Sequence, residues 1–272
     1  MSIHKIIDLH NDAITTLSPE DFITYIKESK AAGVDTILVS VYTTEMINPM
    51  QEIKKYRQII DSINTDTRLL LHIEDAWFVN MQNIDELVSF APYSVGLTWN
   101  QNNDLAGGAL DDGNVTQLGK VIIEKLVANG IKIDLAHLNK QSFYSVAEVL
   151  ETHDQRLLCT HACFDRVHPH PRNLDHGQVQ TIVESGGIIG LTLVTDFLGG
   201  DIYEHIKYFI ENFGEDNLAI GTDFFGTAKL PDGLKKYKDF VDFKKVLLKN
   251  GLSKATIDKI FWRNASEYHN RS

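Results

Sequence analysis

The feature that most constrains the fold is a unit that recurs eight times along the chain, in which a short apolar run is followed by a polar loop and an amphipathic segment. The apolar runs predict strands at 5–9, 35–41, 68–73, 94–99, 132–136, 157–160, 187–194 and 218–222. The amphipathic segments predict helices at 19–32, 49–63, 83–90, 117–128, 141–151, 177–184, 203–213 and 240–250. Strands that alternate with helices pair in parallel, and continuous apolar runs are typical of strands buried on both faces.

Eight such units predict one α/β domain over residues 1–272 that closes as a (β/α)8, or TIM, barrel. A barrel of this kind needs roughly 250 residues, and the chain has 272. An open, doubly wound sheet with as many strands is the alternative. After Ser253, which is a suitable cap, the sequence predicts a C-terminal helix at about 253–268 that packs on the outside of the barrel.

Charge and composition narrow the classes of partner. The formal net charge of −11 argues against binding to nucleic acid, which is normally recognised by a clustered basic surface. The N-terminal residues lack the basic start and apolar run of a signal peptide, and no stretch has the roughly 20 apolar residues that span a bilayer. We therefore predict a cytoplasmic protein with no nucleic-acid or membrane partner, and a homodimer is an open alternative to a monomer.

Polar residues that follow the predicted strands identify a candidate site, because the active site of an α/β barrel lies at the carboxyl ends of its strands. Six residues at five strand ends are of types that bind divalent transition metals: His10, Asp12, Glu74, His137, His161 and Asp223. Residues two apart on a strand project to the same side, so Asp8, His10 and Asp12 are predicted to point together.

The number of candidate ligands indicates two metal ions. Three histidines and three carboxylates exceed what one tetrahedral ion needs, so we expect two ions that share a carboxylate. Such a pair lowers the pKa of a bridging water and polarises a carbonyl group, which predicts hydrolysis. Zinc suits mixed imidazole and carboxylate ligands, although manganese, cobalt or iron would use the same set. Asp223 is predicted to accept the proton of the water as a general base.

Other polar residues are weaker candidates. Arg172 follows the sixth strand, and its planar guanidinium would suit a substrate carboxylate if it points into the barrel mouth. We interpret His72 as a hydrogen-bonded core residue, and His168 and His170 as rim residues. The remaining histidines are predicted at the surface: His4, His153, His176, His205 and His269.

A set of short motifs spans nearly the whole chain: DLHND at 8–12, IED at 73–75, LTWN at 97–100, DLAH at 134–137, THA at 160–162, HPRN at 170–173 and IGTDF at 220–224. In order and spacing, this set resembles the membrane (renal) dipeptidase family of the amidohydrolase superfamily. The resemblance implies an eight-stranded barrel with two zinc ions that cleaves dipeptides. It assigns His10 and Asp12 to the first ion, Glu74 to the bridge, and His137 and His161 to the second ion.

The same resemblance implies that Asp223 acts in proton transfer and that Arg172 binds the terminal carboxylate of the substrate. Two positions depart from the family pattern. Trp99 replaces the histidine that helps to polarise the scissile carbonyl, and an indole N–H donates one hydrogen bond but carries no charge. Phe225 stands where relatives often have aspartate. We predict substrate contacts for Arg172, Trp99 and Asn100.

Three functions follow from these observations. The leading hypothesis is a zinc-dependent, dipeptidase-like hydrolase that acts on a small amide or dipeptide with a free carboxylate. Trp99 motivates the second, a related amidohydrolase that cleaves an acylated amino acid, a lactone or a phosphoester. The third is a non-catalytic barrel that binds a metal or a small ligand.

Overall fold

The computed structural model describes residues 5–270 and contains a closed barrel of eight parallel strands. In chain order the strands are β1 (Ile6–Asn11), β2 (Val34–Tyr42), β3 (Arg68–Glu74), β4 (Ser94–Gly96), β5 (Lys132–Asp134), β6 (Leu158–Ala162), β7 (Ile188–Leu191) and β8 (Leu218–Ile220). Each strand pairs with the next, and β8 returns to β1 through the pair Asp8 and Ile220. The predicted (β/α)8 barrel is therefore confirmed, and the open sheet is wrong.

The helices lie between the strands and after the last one. They are α1 (Ala13–Thr16), α2 (Pro19–Ala31), α3 (Pro49–Ser62), α4 (Ile84–Ser89), α5 (Gln117–Ala128), α6 (Lys140–Glu151), α7 (His176–Glu184), α8 (Thr195–Leu198), α9 (Ile202–Phe213), α10 (Phe240–Lys249), α11 (Lys254–Asp258) and α12 (Asn264–Asn270). The eight predicted helices correspond to α2–α7, α9 and α10. The short helices α1 and α8 have four residues each, too few for a periodic pattern to reveal.

Local capping explains why the helices begin where they do. The Ser18 hydroxyl accepts a hydrogen bond from the backbone N–H of Asp21 at 3.1 Å, and Pro19 occupies the first position of α2. Asp175 and Gln178 form a reciprocal capping box at the start of α7. These side chains satisfy N–H groups that have no partner within the helix.

Two buried apolar layers stabilise the barrel. One layer packs the outer faces of the strands against the helices. The other fills the barrel interior, where Leu38 of β2 and Leu158 of β6 belong to one buried cluster although their strands lie on opposite sides of the barrel.

The C-terminal segment packs against that interior cluster. The Ser253 hydroxyl caps α11 by accepting from the N–H of Thr256 at 3.0 Å, and a π-helical turn at Lys259–Arg263 leads into α12. Ala265 and Tyr268 join the interior cluster, and the Tyr268 hydroxyl donates to the carbonyl of Arg156 just before β6, at 3.0 Å. The tail packs in part on the outside of the barrel as expected, since Ile257, Ile260 and Phe261 belong to the outer layer, whereas Ala265 and Tyr268 lie against the interior cluster.

Four strands end earlier than predicted on the side that carries the polar residues, whereas β1 and β6 each extend two residues further. β4 ends at Gly96 and β5 at Asp134, so Trp99 and His137 lie on the loops that follow. His137 adopts a left-handed conformation with φ of 67°, which re-aims its side chain. Within residues 5–270, every helix is too short or too polar to span a bilayer.

Candidate metal centre

All six candidate ligands meet at the carboxyl end of the barrel. His10 and His161 lie within β1 and β6, and Glu74 is the last residue of β3. Asp12, His137 and Asp223 follow β1, β5 and β8 directly or within three residues. Asp223 is half-buried, and each of the other five is at most 6% exposed.

Glu74 occupies the centre of the group. Its Oε2 lies 3.5 Å from Nε2 of His10, whereas its Oε1 lies 2.9 Å from Nε2 of His137 and 3.8 Å from Nε2 of His161. On the first side, His10 Nε2 is also 3.4 Å from Asp12 Oδ2. Asp223 places an oxygen within 4.8 Å of ligand atoms of His10 and Asp12. The two oxygens of Glu74 therefore face separate sets of potential ligands.

Several of these atoms are buried without a hydrogen-bond partner, namely His10 Nε2 and both carboxylate oxygens of Asp12. On the other side, Nε2 of His137 and Nε2 of His161 are 2.9 Å apart. Burying polar atoms unpaired is costly, and a cation among them would satisfy all of them together. Imidazole and carboxylate donors suit divalent transition metals, so the residues fit such an ion.

The pKa values of two carboxyl groups in the cluster are shifted in opposite directions. Burial alone would raise the pKa of Glu74, but the nearby imidazoles of His10 and His137 hold that pKa well below its usual range. Burial and the charge of Asp12 raise the pKa of Asp223 well above its ordinary value. Burial and the charge of Arg172 lower the pKa of His137 to about 4, which keeps its imidazole neutral.

A layer of polar side chains behind the ligands was missed by the sequence analysis. Thr160 Oγ1 lies 3.1 Å from Nδ1 of His10 and 2.9 Å from Nδ1 of His161. Asp134 holds that hydroxyl at 2.5 Å. Thr160 precedes His161 directly, and neighbours on a regular strand point to opposite faces. Strict alternation would therefore direct Thr160 away from the site. The pairing of β6 with β7 shifts register after Cys159, and this irregularity breaks the alternation.

Asp8 does not join the cluster, contrary to the expectation that it points together with His10 and Asp12. The pairing of β1 with β2 shifts register between Asp8 and Asn11, which breaks the two-residue alternation. The Asp8 carboxylate instead accepts hydrogen bonds from the hydroxyls of Tyr237 at 2.5 Å and Thr222 at 2.7 Å.

A cavity of about 370 Å³ opens over the cluster. Besides the carboxylates, aromatic side chains line it: Tyr42, Trp99, Phe197 and Phe225. Trp99 packs edge-on against Tyr42 with ring centroids 5.5 Å apart. Asn100 also lines the cavity, and its Oδ1 lies 3.0 Å from Nδ1 of His137. A substrate in this cavity would therefore lie between aromatic walls and the carboxylates.

Arg172 points inward rather than to solvent. It is 4% exposed, its Nη2 lies 3.0 Å from Nε2 of His161, and its guanidinium carbon lies 5.4 Å from the centroid of the Phe197 ring. Its Nε is buried and has no hydrogen-bond partner among the described residues.

The other histidines differ in their burial. His72 is buried, and its Nδ1 lies 2.8 Å from the Ser94 hydroxyl, in agreement with its interpretation as a core residue. The surface predictions for His205 and His269 are wrong, since both are buried. His168, His170 and His176 are half-buried, His153 is exposed, and His4 lies outside the described residues.

A closed (β/α)8 barrel with a buried His, Asp and Glu cluster at its carboxyl end defines a metal-dependent hydrolase. Residues 80–267 match the family described as membrane dipeptidase, peptidase family M19. The chain belongs to this family, which confirms the resemblance.

Two relatives illustrate the degree of similarity in sequence. An uncharacterised protein in the pqqA 5′ region of Klebsiella pneumoniae is 30% identical over 217 residues, which cover 72% of this chain and 79% of that protein. Dipeptidase aclJ of Aspergillus oryzae is 24% identical over 150 residues, which cover 52% of this chain and only 35% of that protein.

Two solved structures share the fold. The dipeptidase AC, a metallopeptidase of family M19, superposes with a TM-score of 0.84 at 20% identity, covering 100% of this chain and 99% of its own. A metallopeptidase from Rhodobacter sphaeroides, liganded with a phosphinate mimic of the dipeptide L-Ala-D-Ala, gives a TM-score of 0.81 at 19% identity and covers 98% of this chain and 99% of its own. At these identities the likeness shows the barrel alone.

Proposed function

We propose that this protein is a zinc-dependent dipeptidase that hydrolyses a small amide or dipeptide with a free carboxylate. His10 and Asp12 would bind one ion, His137 and His161 the second, and Glu74 would bridge the two. The observation that carries this proposal is the position of Glu74, because its Oε2 faces His10 and its Oε1 faces the other two imidazoles.

The chemistry divides between the ions and the protein. Divalent ions held by these residues would supply Lewis-acid chemistry, which polarises a carbonyl and lowers the pKa of water. Asp223 lines the cavity beside Asp12, so it can take a proton from a nucleophile on one side and deliver it to the leaving amine on the other. The absence of a side chain at Gly226 leaves room for this carboxylate, because a Cβ there would lie only 2.0 Å from Asp223 Oδ1.

We assign substrate orientation to Arg172, which lies beside His161 and Phe197, and to residues that line the cavity. The buried Arg172 guanidinium, with an unpaired Nε, would bind the terminal carboxylate of the substrate. Trp99 and Asn100 would contact the substrate from the wall of the cavity. Because Trp99 cannot supply a charged donor, carbonyl polarisation would rest on the metal ions.

The proposal is tested by assaying a panel of L,L and L,D dipeptides with protein that has been stripped by a chelator and reloaded with zinc. We expect hydrolysis that is absent after stripping and returns with zinc. A protein that carries two zinc equivalents and hydrolyses no dipeptide of the panel would overturn the dipeptidase assignment and leave two hypotheses, a related amidohydrolase with another substrate and a metal-binding barrel without catalysis.

The aromatic cavity wall favours a second candidate, the hydrolysis of an N-acylated amino acid. Trp99, Tyr42 and Phe225 offer apolar surface to an acyl group, whereas the free ammonium of a dipeptide would have to lie among them. Comparing kcat/KM for a dipeptide with that for the N-acyl amino acid of the same C-terminal residue separates the two. Lactones and phosphoesters complete the panel.

A further inference from the structure

One threonine hydroxyl lies between two imidazoles that the proposed function assigns to different ions. Thr160 Oγ1 is 3.1 Å from Nδ1 of His10 and 2.9 Å from Nδ1 of His161. All three side chains are at most 1% exposed, so water does not compete for these contacts.

The direction of each hydrogen bond follows from Asp134. Its Oδ1 accepts the backbone N–H of Thr160 at 2.8 Å, and its Oδ2 accepts the Thr160 hydroxyl proton at 2.5 Å. A hydroxyl has one proton and two lone pairs. With that proton given to Asp134, the oxygen can only accept, so both Nδ1 atoms must donate to it.

Arg172 gives an independent indication for His161. A guanidinium has donors only, and Arg172 Nη2 lies 3.0 Å from Nε2 of His161. Nε2 of His161 is therefore an acceptor, which places the imidazole proton on Nδ1, where it faces Thr160.

We propose that Thr160, fixed by Asp134, is a positioning residue that holds His10 and His161 with their protons on Nδ1 and directs both Nε2 lone pairs to the metal centre. This inference rests on the proposed function, because the two imidazoles are metal ligands only there. A ligating histidine commonly donates its other N–H to a carboxylate or carbonyl of its own. Here one hydroxyl serves two ligands, so both ions depend on it.

The chain offers a matched control. Thr222 repeats the same pair of bonds, since its backbone N–H and its hydroxyl bind Asp8 Oδ1 and Oδ2 at 2.8 and 2.7 Å. In the described residues its hydroxyl contacts no imidazole. Its hydroxyl also lies 3.3 Å from the backbone carbonyl of His10, but Thr222→Val removes an equivalent buried bond without touching an imidazole. Stability loss is thereby separated from the positioning of the imidazoles.

The experiment measures zinc affinity at both sites by competition with a chromophoric chelator, for the wild type and for Thr160→Val, Thr160→Ser and Thr222→Val. We expect Thr160→Val to weaken both sites by about 10- to 100-fold, and Thr160→Ser to stay within about threefold. Thr222→Val should bind as the wild type does. Loss at one site only, no loss, or an equal loss in Thr222→Val would overturn the inference.

A metal-free measurement separates this inference from the proposed function. In Asp134→Asn, the backbone N–H of Thr160 still needs an acceptor, so the amide oxygen of Asn takes the place of Oδ1. The amide nitrogen of Asn then faces the Thr160 hydroxyl and donates to it, so the hydroxyl proton must turn to an imidazole. Because Arg172 independently holds Nε2 of His161 as an acceptor, the comparison is made in an Arg172→Met background. There, nitrogen-15 spectra of metal-free protein labelled at histidine should show His161 protonated on Nδ1 when Asp134 is present and partly on Nε2 in Asp134→Asn. An unchanged tautomer would refute the role of Thr160. A wild type that binds no zinc would refute the proposed function alone.

Discussion

Replacing Arg172 by methionine tests how the substrate is recognised. The guanidinium is 4% exposed and its Nε has no hydrogen-bond partner among the described residues, so a substrate carboxylate would complete a buried charge pair. Removing one partner of such a pair costs about 2–5 kcal/mol. Since about 1.4 kcal/mol corresponds to a factor of ten, kcat/KM should fall roughly 30-fold to 5,000-fold.

The assay compares a dipeptide with its C-terminal amide on both proteins. The wild type should prefer the free acid by the same factor, and Arg172→Met should treat acid and amide alike. The pair of substrates and the pair of proteins form a double-mutant cycle that isolates the interaction. An acid preference that survives in the variant would refute the assignment of Arg172. Thermal unfolding is the control, and Arg172→Met should be no less stable than the wild type, because a buried, incompletely paired charge is removed.

Three further perturbations probe the site and the barrel end. Trp99→His restores a polarising donor and should raise dipeptide kcat/KM by about 10²–10³; an unchanged rate would show that this wall is not near the carbonyl. Gly226→Ala places a Cβ 2.0 Å from Asp223 Oδ1 and should lower kcat by at least about tenfold through displacement of that carboxylate, with KM nearly unchanged; steady-state kinetics on a soluble variant would decide. Burial lowers the pKa of His269 to about 3, so its contribution to stability is complete above its unfolded pKa of roughly 6.5 and declines as the pH falls toward 3, at up to about 1.4 kcal/mol per pH unit. His269→Gln still offers Tyr93 an oxygen. It should make the free energy of urea unfolding depend less steeply on pH between about 6.5 and 3. The same pH dependence in the variant and the wild type would contradict the role of His269.

The fold follows from local signals, because each unit carries its own strand pattern, helix periodicity and caps. Ser18 with Pro19 marks the start of α2, and the ends of the eight helices predicted at 19–250 differ from the structure by no more than one residue. The predicted C-terminal helix is instead divided into α11, a π-helical turn and α12. The ligand positions were also predictable, since a polar residue at the end of an apolar strand stands out. These signals depend on near neighbours in the chain.

The errors concern features that near neighbours do not determine. Asp8 was predicted to join the ligands because alternation assumes a regular strand, and the register shift of β1 breaks it. Thr160 was overlooked for the same reason in β6. The burial of His269 and the contact of Ala265 and Tyr268 with the interior cluster differ from the sequence predictions, because an amphipathic pattern shows that a face is buried without showing which part of the barrel it contacts.

The central claim is a two-ion centre bridged by Glu74, and metal analysis of the wild type and of Glu74→Gln tests it most directly. The variant keeps the shape of the side chain but loses the charge that both sides of the centre share. After dialysis against trace zinc, we expect two equivalents per chain in the wild type and at most one, weakly held, in Glu74→Gln, with dipeptide hydrolysis lost. Two tightly held equivalents in the variant, or a single equivalent in a fully active wild type, would contradict the bridge.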